Sequence, residues 1–169
     1  MITLEQYSTI ISGFGGQGVL LTGKIIARSG MEEGLEVTWL PSYGPEMRGG
    51  TANCTAIISS RIIGSPVVND PSSLIAFNKP SLDKFGPAVR NKGIIIVNSS
   101  LIEDHDYQGS ARIVPVPLNA LAQKLGNQKA INMVALGAWS KASGKLSLEA
   151  LKKGMELTLE ESGKSSFVK

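Results

Sequence analysis

Residue types able to do chemistry are few in this chain and gather in two places. The first is Ser12-Gly-Phe-Gly-Gly-Gln-Gly18, which contains Gly13-x-Gly15-x-x-Gly18 together with Gly16 and Gln17, set between the apolar run 7–11 and the apolar-periodic segment 19–31. Glycine at such positions admits positive φ, brings backbone N–H groups close to a bound anion and lets a helix pack tightly on a strand. The positive end of the helix dipole would face the same spot. The second is Ser42-Tyr-Gly-Pro-Glu-Met-Arg-Gly-Gly50, where Glu46 and Arg48 are the charged pair of a turn-rich stretch that also holds Tyr43, Gly44, Met47 and Gly49. Arg48 can bind an acid or a phosphate, form a salt bridge or meet a partner, and a mixture of Tyr, Met and Arg suits a protein interface better than a solvated turn.

Elsewhere the chemistry is sparse. Cys54 is the only cysteine, which excludes an intrachain disulfide and a self-contained iron–sulfur or zinc-thiolate site. It sits mid-way along an apolar, β-branched stretch with no cation close in sequence, the setting of a buried, inert thiol. The only histidine, His105, lies among acids in Glu103-Asp104-His105-Asp106 and reads as a solvated loop imidazole. No nucleophile elbow, paired-carboxylate motif or Gly-Lys-Ser/Thr phosphate loop is present. Where a dinucleotide fold carries an Asp or Glu, at the end of its second strand, this chain has Trp39-Leu40-Pro41-Ser42.

The elements that must position these residues follow from periodicity. Residues 7–13 read as a buried strand, 17–34 as a helix stopped by Gly34, with Val19, Leu20, Gly23, Ile26, Ala27, Gly30 and Met31 on its apolar face. Residues 35–40 read as a second strand ended by Pro41, which gives a β-α-β unit of the kind that builds parallel sheets. Residues 51–59 read as a strand, and Ser59-Ser60 allows a turn into a short strand at 61–64, hence one antiparallel hairpin. Strands at 73–77, 93–98 and 112–116 follow, with a helix capped at Asn78 or Lys79 and cut short by Pro87, and another at 118–125. Residues 130–143 form a helix apolar nearly all round, to be buried in the domain or against another subunit. Ser147 caps the last helix, with Leu146 and Leu151 as a hydrophobic staple, Glu149 and Lys153 as an i,i+4 pair, and Leu148, Leu151, Met155 and Leu159 as its buried stripe. The fold class is α/β: a three-layer, mostly parallel, Rossmann-like sheet with helices on both faces, in a single domain over 1–169 with a loose tail from Gly163. Both glycine-rich stretches then fall on the carboxyl edge of the sheet, where such folds gather ligands and partners.

The chain has 169 residues and a formal charge of +3, with Lys and Arg scattered, so neither nucleic acid nor membrane is indicated as a partner. The opening Met1-Ile-Thr-Leu-Glu-Gln6 has no basic-then-apolar leader pattern, and a cytoplasmic location is expected.

Gly13-Phe-Gly-Gly-Gln-Gly18, then Pro41-Ser-Tyr-Gly-Pro-Glu-Met-Arg-Gly-Gly-Thr-Ala-Asn-Cys54, then Asn98-Ser-Ser100 and Ala130-Ile-Asn-Met-Val-Ala-Leu-Gly137 together resemble the gamma subunit of 2-oxoacid:ferredoxin (acceptor) oxidoreductases. The form of the second stretch is more similar to the 2-oxoglutarate and branched-chain members than to the pyruvate members. The resemblance implies a subunit, not catalytic alone, of a complex that oxidatively decarboxylates a 2-oxoacid, 2-oxoglutarate in the first instance, to acyl-CoA and carbon dioxide while reducing ferredoxin or a related acceptor. It implies alpha and beta partners, with or without a delta subunit: thiamine diphosphate and its magnesium lie on alpha and beta, the iron–sulfur centres on beta or a small ferredoxin-like subunit, with coenzyme A as co-substrate and no cofactor held by this chain alone. On that basis Gly13, Gly15, Gly16, Gln17 and Gly18, with Tyr43, Gly44, Glu46, Met47, Arg48 and Gly49, are expected to dock partner subunits or border the coenzyme A route. The competing expectations are a free-standing Rossmann-like nucleotide-binding module and a scaffold subunit with no ligand.

Overall fold

The computed structural model describes residues 5–42 and 51–163. Tyr43, Gly44, Glu46, Met47, Arg48 and Gly49 of the second glycine-rich stretch, and most of the tail expected from Gly163, lie outside the described residues. The elements run β1 (Tyr7–Phe14), α1 (Val19–Glu32), β2 (Glu36–Ser42), β3 (Thr51–Ser59), β4 (Ser73–Ala76), α2 (Lys79–Phe85), β5 (Ile94–Asn98), β6 (Arg112–Val116), α3 (Leu118–Lys124), α4 (Ile131–Ser143) and α5 (Leu148–Glu161). The six strands form one sheet in the order β2-β3-β1-β4-β5-β6. β1, β4, β5 and β6 pair in parallel, and β3 is antiparallel to both β1 and β2.

The position of β3 corrects the expected β-α-β unit. β2 follows α1 but does not pair with β1; β3 lies between them. Burial decides this arrangement. β3 sends Ala52, Cys54, Ala56 and Ile58 toward α1 and buries Ile57 on the opposite face, whereas β2 leaves Glu36, Leu40 and Ser42 exposed. The more deeply buried strand belongs inside the sheet, and the more exposed one takes the edge. The edge position also explains why Pro41 does not end β2: it pairs with Cys54 inside the strand, and an edge strand tolerates a residue without an N–H. The hairpin expected at Ser59-Ser60 is absent; residues 61–64 form no strand, and Ser59 Oγ instead accepts from Arg61 N at 3.0 Å in a turn.

Helices cover the sheet unequally. α1, α3, α4 and α5 close one face in a core that includes Ile11, Ile25, Ile26, Cys54, Ile75, Ile96 and Trp139. On the other face α2 and the segment carrying Ile102, Tyr107 and Ala111 enclose Ile10, Leu74, Ile95 and Val97. α2 packs on β1 and β4, so the β2–β3 end of this face keeps Leu40 at 43% and Phe14 at 45% exposure.

Local chemistry sets the helix ends. Asn78 Oδ1 accepts from Ser81 N at 2.9 Å, with Pro80 in the first turn of α2, and a 3₁₀ turn at Gly86–Ala88 follows where Pro87 stops the α-helix. Ser147 caps α5 through Ala150 N at 3.1 Å, and Leu146 and Leu151 are both buried beside it. Two expected details fail here. Glu149 and Lys153 are not among the ion pairs of the described residues, and Ser147 N donates to Glu33 Oε1 at 2.7 Å, tying α5 to the end of α1. Leu148 is 60% exposed; the buried residues of α5 are Ala150, Leu151, Gly154, Thr158 and Leu159 because Gly154 sets the helix down on Ser29 of α1. Met31 is likewise exposed, because the buried stripe of α1 runs through Thr22, Ile25 and Ser29. α4 buries Ile131, Asn132, Ala135, Leu136 and Trp139 but leaves Gly137 open.

Candidate functional site

The turn from β1 into α1 is fixed by its own residues. Gln17 N donates to Phe14 O at 3.3 Å, and Phe14 N donates to Gln17 Oε1 at 2.7 Å, so one side chain closes the loop in both directions. Gly18 takes the N-cap position of α1 in the left-handed conformation, φ 76°, with no side chain capping the helix. Its carbonyl accepts from both Thr22 N (2.9 Å) and Thr22 Oγ1 (2.8 Å), which anchors the first helical turn.

The four glycines divide into two kinds. A Cβ on Gly13 would fall 2.6 Å from Gln17 Oε1 and 2.7 Å from Phe77 Cβ, and one on Gly18 would fall 2.6 Å from Asn132 Nδ2. These two are required by packing. Around Gly15 and Gly16, the latter at φ 88°, a Cβ would meet nothing. Their backbone is an open surface at the positive end of a 14-residue helix.

Strand register brings the two glycine-rich stretches to one edge. Ser12 pairs with Asn53 and Asn53 with Ser42, while Phe14 pairs with Thr51. Ser42 and Thr51, which flank the 43–50 stretch, therefore lie on the same edge of the sheet as the glycine turn. Tyr43, Gly44, Glu46, Met47, Arg48 and Gly49 themselves lie outside the described residues.

Sequence reasoning left out a set of amides lining the same edge. Asn132 is 4% exposed against Gly18. Asn98, at the end of β5, donates to Phe77 O (3.3 Å) and Asn119 Oδ1 (2.7 Å) and accepts from Ser100 N and Leu118 N, joining the β4–α2 and β6–α3 connections to the turn after β5. Ser12 and Ser81 share a hydrogen bond at 2.8 Å, and Asn78 Nδ2 is buried without a partner. A polar residue inside an otherwise apolar helix, such as Asn132, was the available signal.

These groups can orient a backbone edge and offer hydrogen bonds; they do not supply a nucleophile or an acid–base pair. Cys54 is buried under α1 with Sγ donating to Val19 O at 3.4 Å, and burial pushes its thiol up to about 12. His105 meets Ile102 O through Nε2 at 2.9 Å. No group of three metal-ligating side chains occurs among the described residues.

Comparison with known proteins decides the lineage. The family described as pyruvate ferredoxin/flavodoxin oxidoreductase matches residues 8–168, nearly the whole chain. The chain belongs to this family. Among oxidoreductase relatives, it is 44% identical over 127 residues to ketoisovalerate oxidoreductase subunit VorA of Methanothermobacter thermautotrophicus, covering 75% of this chain and 26% of that protein. It is 30% identical to the 2-oxoglutarate synthase subunit KorC of the same organism, covering 86% of this chain and 81% of KorC. The chain thus spans about a quarter of the length of the ketoisovalerate relatives it matches. Among solved structures, the gamma subunit of a keto/oxoacid ferredoxin oxidoreductase from Geobacter sulfurreducens superposes with a TM-score of 0.80 at 29% identity, covering 94% of this chain and 89% of that one. The α/β fold is therefore shared with a gamma subunit. No helix among the described residues is long and apolar enough to cross a membrane.

Proposed function

We propose that this chain is the gamma component of a thiamine diphosphate-dependent 2-oxoacid:ferredoxin oxidoreductase, supplying a docking edge and no catalytic group. The family match over residues 8–168 carries this reading. The local geometry agrees with it: an open glycine turn at Gly15 and Gly16, the ends of the 43–50 stretch, and the half-exposed Phe14 and Leu40 all lie toward the carboxyl end of β1 or on the uncovered face of β1 and β2. Apolar side chains beside open backbone and an arginine suit a subunit interface. As the family resemblance implies, thiamine diphosphate with its magnesium sits on alpha and beta partners and the iron–sulfur centres on beta or a small ferredoxin-like partner, in keeping with the single, buried cysteine of this chain. Electrons leave to ferredoxin or a related acceptor, and coenzyme A receives the acyl group.

For the substrate we favour a branched-chain 2-oxoacid, since identity to VorA is 42–44% against 29–31% to the KorC proteins. 2-Oxoglutarate is the second reading, supported by the near-full-length alignment to KorC. Anaerobic co-purification with the tagged chain, followed by coenzyme A-dependent reduction of an acceptor with 2-oxoisovalerate, 2-oxoglutarate and pyruvate in turn, tests both. Highest activity with 2-oxoisovalerate supports the first reading, and highest activity with 2-oxoglutarate supports the second. A chain that purifies without partners overturns the assignment to a complex. Within such a complex, Arg48→Ala is expected to weaken assembly or raise the apparent KM for coenzyme A, and no change in either overturns the docking role of the 43–50 stretch.

A further inference from the structure

The opposite edge of the sheet carries a cluster of charge that the docking edge does not use. Where β1, β4 and β5 begin and β3 has just ended, a cleft of about 600 Å³ is lined by Arg61, Arg90, Lys92 and Lys145 against a single carboxylate, Glu5. None of the four cations belongs to an ion pair among the described residues. Arg90 points Nε and Nη2 at the backbone carbonyl of Asp70, at 3.4 and 3.3 Å, which orients the guanidinium without neutralising it. Lys145 holds its ammonium 5.4 Å from the centre of the Tyr7 ring, a cation–π position that keeps it over the cleft wall.

One further observation separates this from an ordinary basic surface. Lys92 has φ 63° and is the one non-glycine residue with positive φ among those described. A lysine there holds a conformation that costs about 1 kcal/mol and that glycine or asparagine would take more readily. Lys92 lines the cleft next to Gly93, whose N–H donates to Arg90 O at 2.9 Å.

We infer that this amino-edge cleft is a binding site for a di- or triphosphate. Four cations without an ion pair among the described residues, around one carboxylate, call for an anion of at least two charges. The cleft is larger than a lone phosphate needs and falls in the range of small-molecule sites. Its wall includes the Tyr7 ring and Ile94, so an organic moiety attached to the phosphates finds an apolar surface there. Guanidinium groups suit phosphate through paired N–H donors. The site uses no residue of the docking edge and is independent of the subunit assignment.

Titration calorimetry on the full chain with pyrophosphate and with ADP, at low and at moderate ionic strength, tests it. Both probes are expected to bind and to weaken with salt; tighter binding of ADP identifies an organic ligand, and equal affinities an inorganic one. The double variant Arg61→Ala/Arg90→Ala, both side chains being exposed, should keep its circular dichroism spectrum and lose affinity at least tenfold. Lys129→Ala, beside α4 at the other edge, serves as the control and should change nothing. Absence of binding at low ionic strength, or an equal loss in Lys129→Ala and the double variant, overturns the inference.

Discussion

The side-chain amide of Asn132 lies against the α-carbon of Gly18, so close that a Cβ on Gly18 would stand 2.6 Å from Nδ2 and 2.7 Å from Cγ. This contact joins the start of α1 to the start of α4 and fixes the glycine turn relative to the second core layer. Gly18 also needs φ 76°. Gly18→Ala should therefore destabilise the chain by about 2–4 kcal/mol, from left-handed strain and overlap together. Urea unfolding checks the value. Adding Asn132→Ala removes the two nearest amide contacts but keeps a Cβ 3.0 Å away as well as the left-handed strain, and should recover about 1 kcal/mol; no recovery would mean that the amide does not set the turn.

Gln17 closes the same turn by accepting from Phe14 N at 2.7 Å. Gln17→Ala should cost about 0.5–1.5 kcal/mol and speed hydrogen exchange at the Phe14 amide. Gln17→Glu keeps the acceptor and should leave exchange near the wild-type rate. Equal exchange in all three proteins would show that the bond is not formed in solution.

The turn shows what periodicity and glycine spacing convey and where they stop. The residues of the turn, most strands and most helix caps were legible because each rests on local rules: positive φ at Gly18, side-chain capping at Asn78 and Ser147, apolar runs at residues 73–77 and 93–98. The insertion of β3 between β1 and β2 was not legible, because pairing partners depend on which strand buries both faces once α1 is in place. The Pro41 error has the same root: a proline bars a central strand but not an edge. Asn98 and Asn132 escaped notice as site residues because their importance comes from contacts with Phe77, Leu118 and Gly18, far away in sequence.

Burial raises the Cys54 thiol from 9.0 to about 12, and the linkage to stability has a definite sign. The unfolded thiol ionises from about pH 9, while the folded one stays protonated until near 12. Its stabilising contribution is therefore complete below pH 9 and is lost as pH rises toward 12. At pH 10.5 the loss should be about 2 kcal/mol relative to pH 8. Burial raises Tyr7 and Tyr107 in the same direction, adding to the decline above pH 10. Urea unfolding of wild type and Cys54→Ala at both pH values isolates the thiol: the variant should show a shallower fall. An aromatic disulfide reagent at pH 8 should label Cys54 only on unfolding.

Glu161, at the end of α5, faces Lys24 at 3.3 Å and Arg28 at 3.1 Å on α1, and Arg28 also approaches Glu32 at 3.8 Å. These side chains are 31–47% exposed, so solvent screens them. Glu161→Gln should cost no more than about 1 kcal/mol, with most of the difference gone at 1 M salt. A loss that persists in high salt would point to packing of α5 on α1 as its source.

Trp139 is the largest fully buried side chain, and its surroundings give it two separable roles. Its Nε1–H donates to Ser73 Oγ at 3.0 Å, and that hydroxyl also meets Thr9 Oγ1 at 2.8 Å, so α4 is tied to β4 and β1 through one polar point inside the core. Its ring meets Tyr7 edge-on, with centroids 6.3 Å apart and an interplanar angle of 62°. Trp139→Ala removes the hydrogen bond, the ring contact and the packing volume together, and should cost about 3–5 kcal/mol. Trp139→Phe keeps an aromatic face and leaves Ser73 bonded to Thr9, so it should cost about 1.5–3 kcal/mol. If the edge contact contributes on its own, a cycle of Trp139→Phe with Tyr7→Leu should show a coupling of about 0.5–1.5 kcal/mol. Additive losses would assign the whole effect to volume and the Ser73 bond.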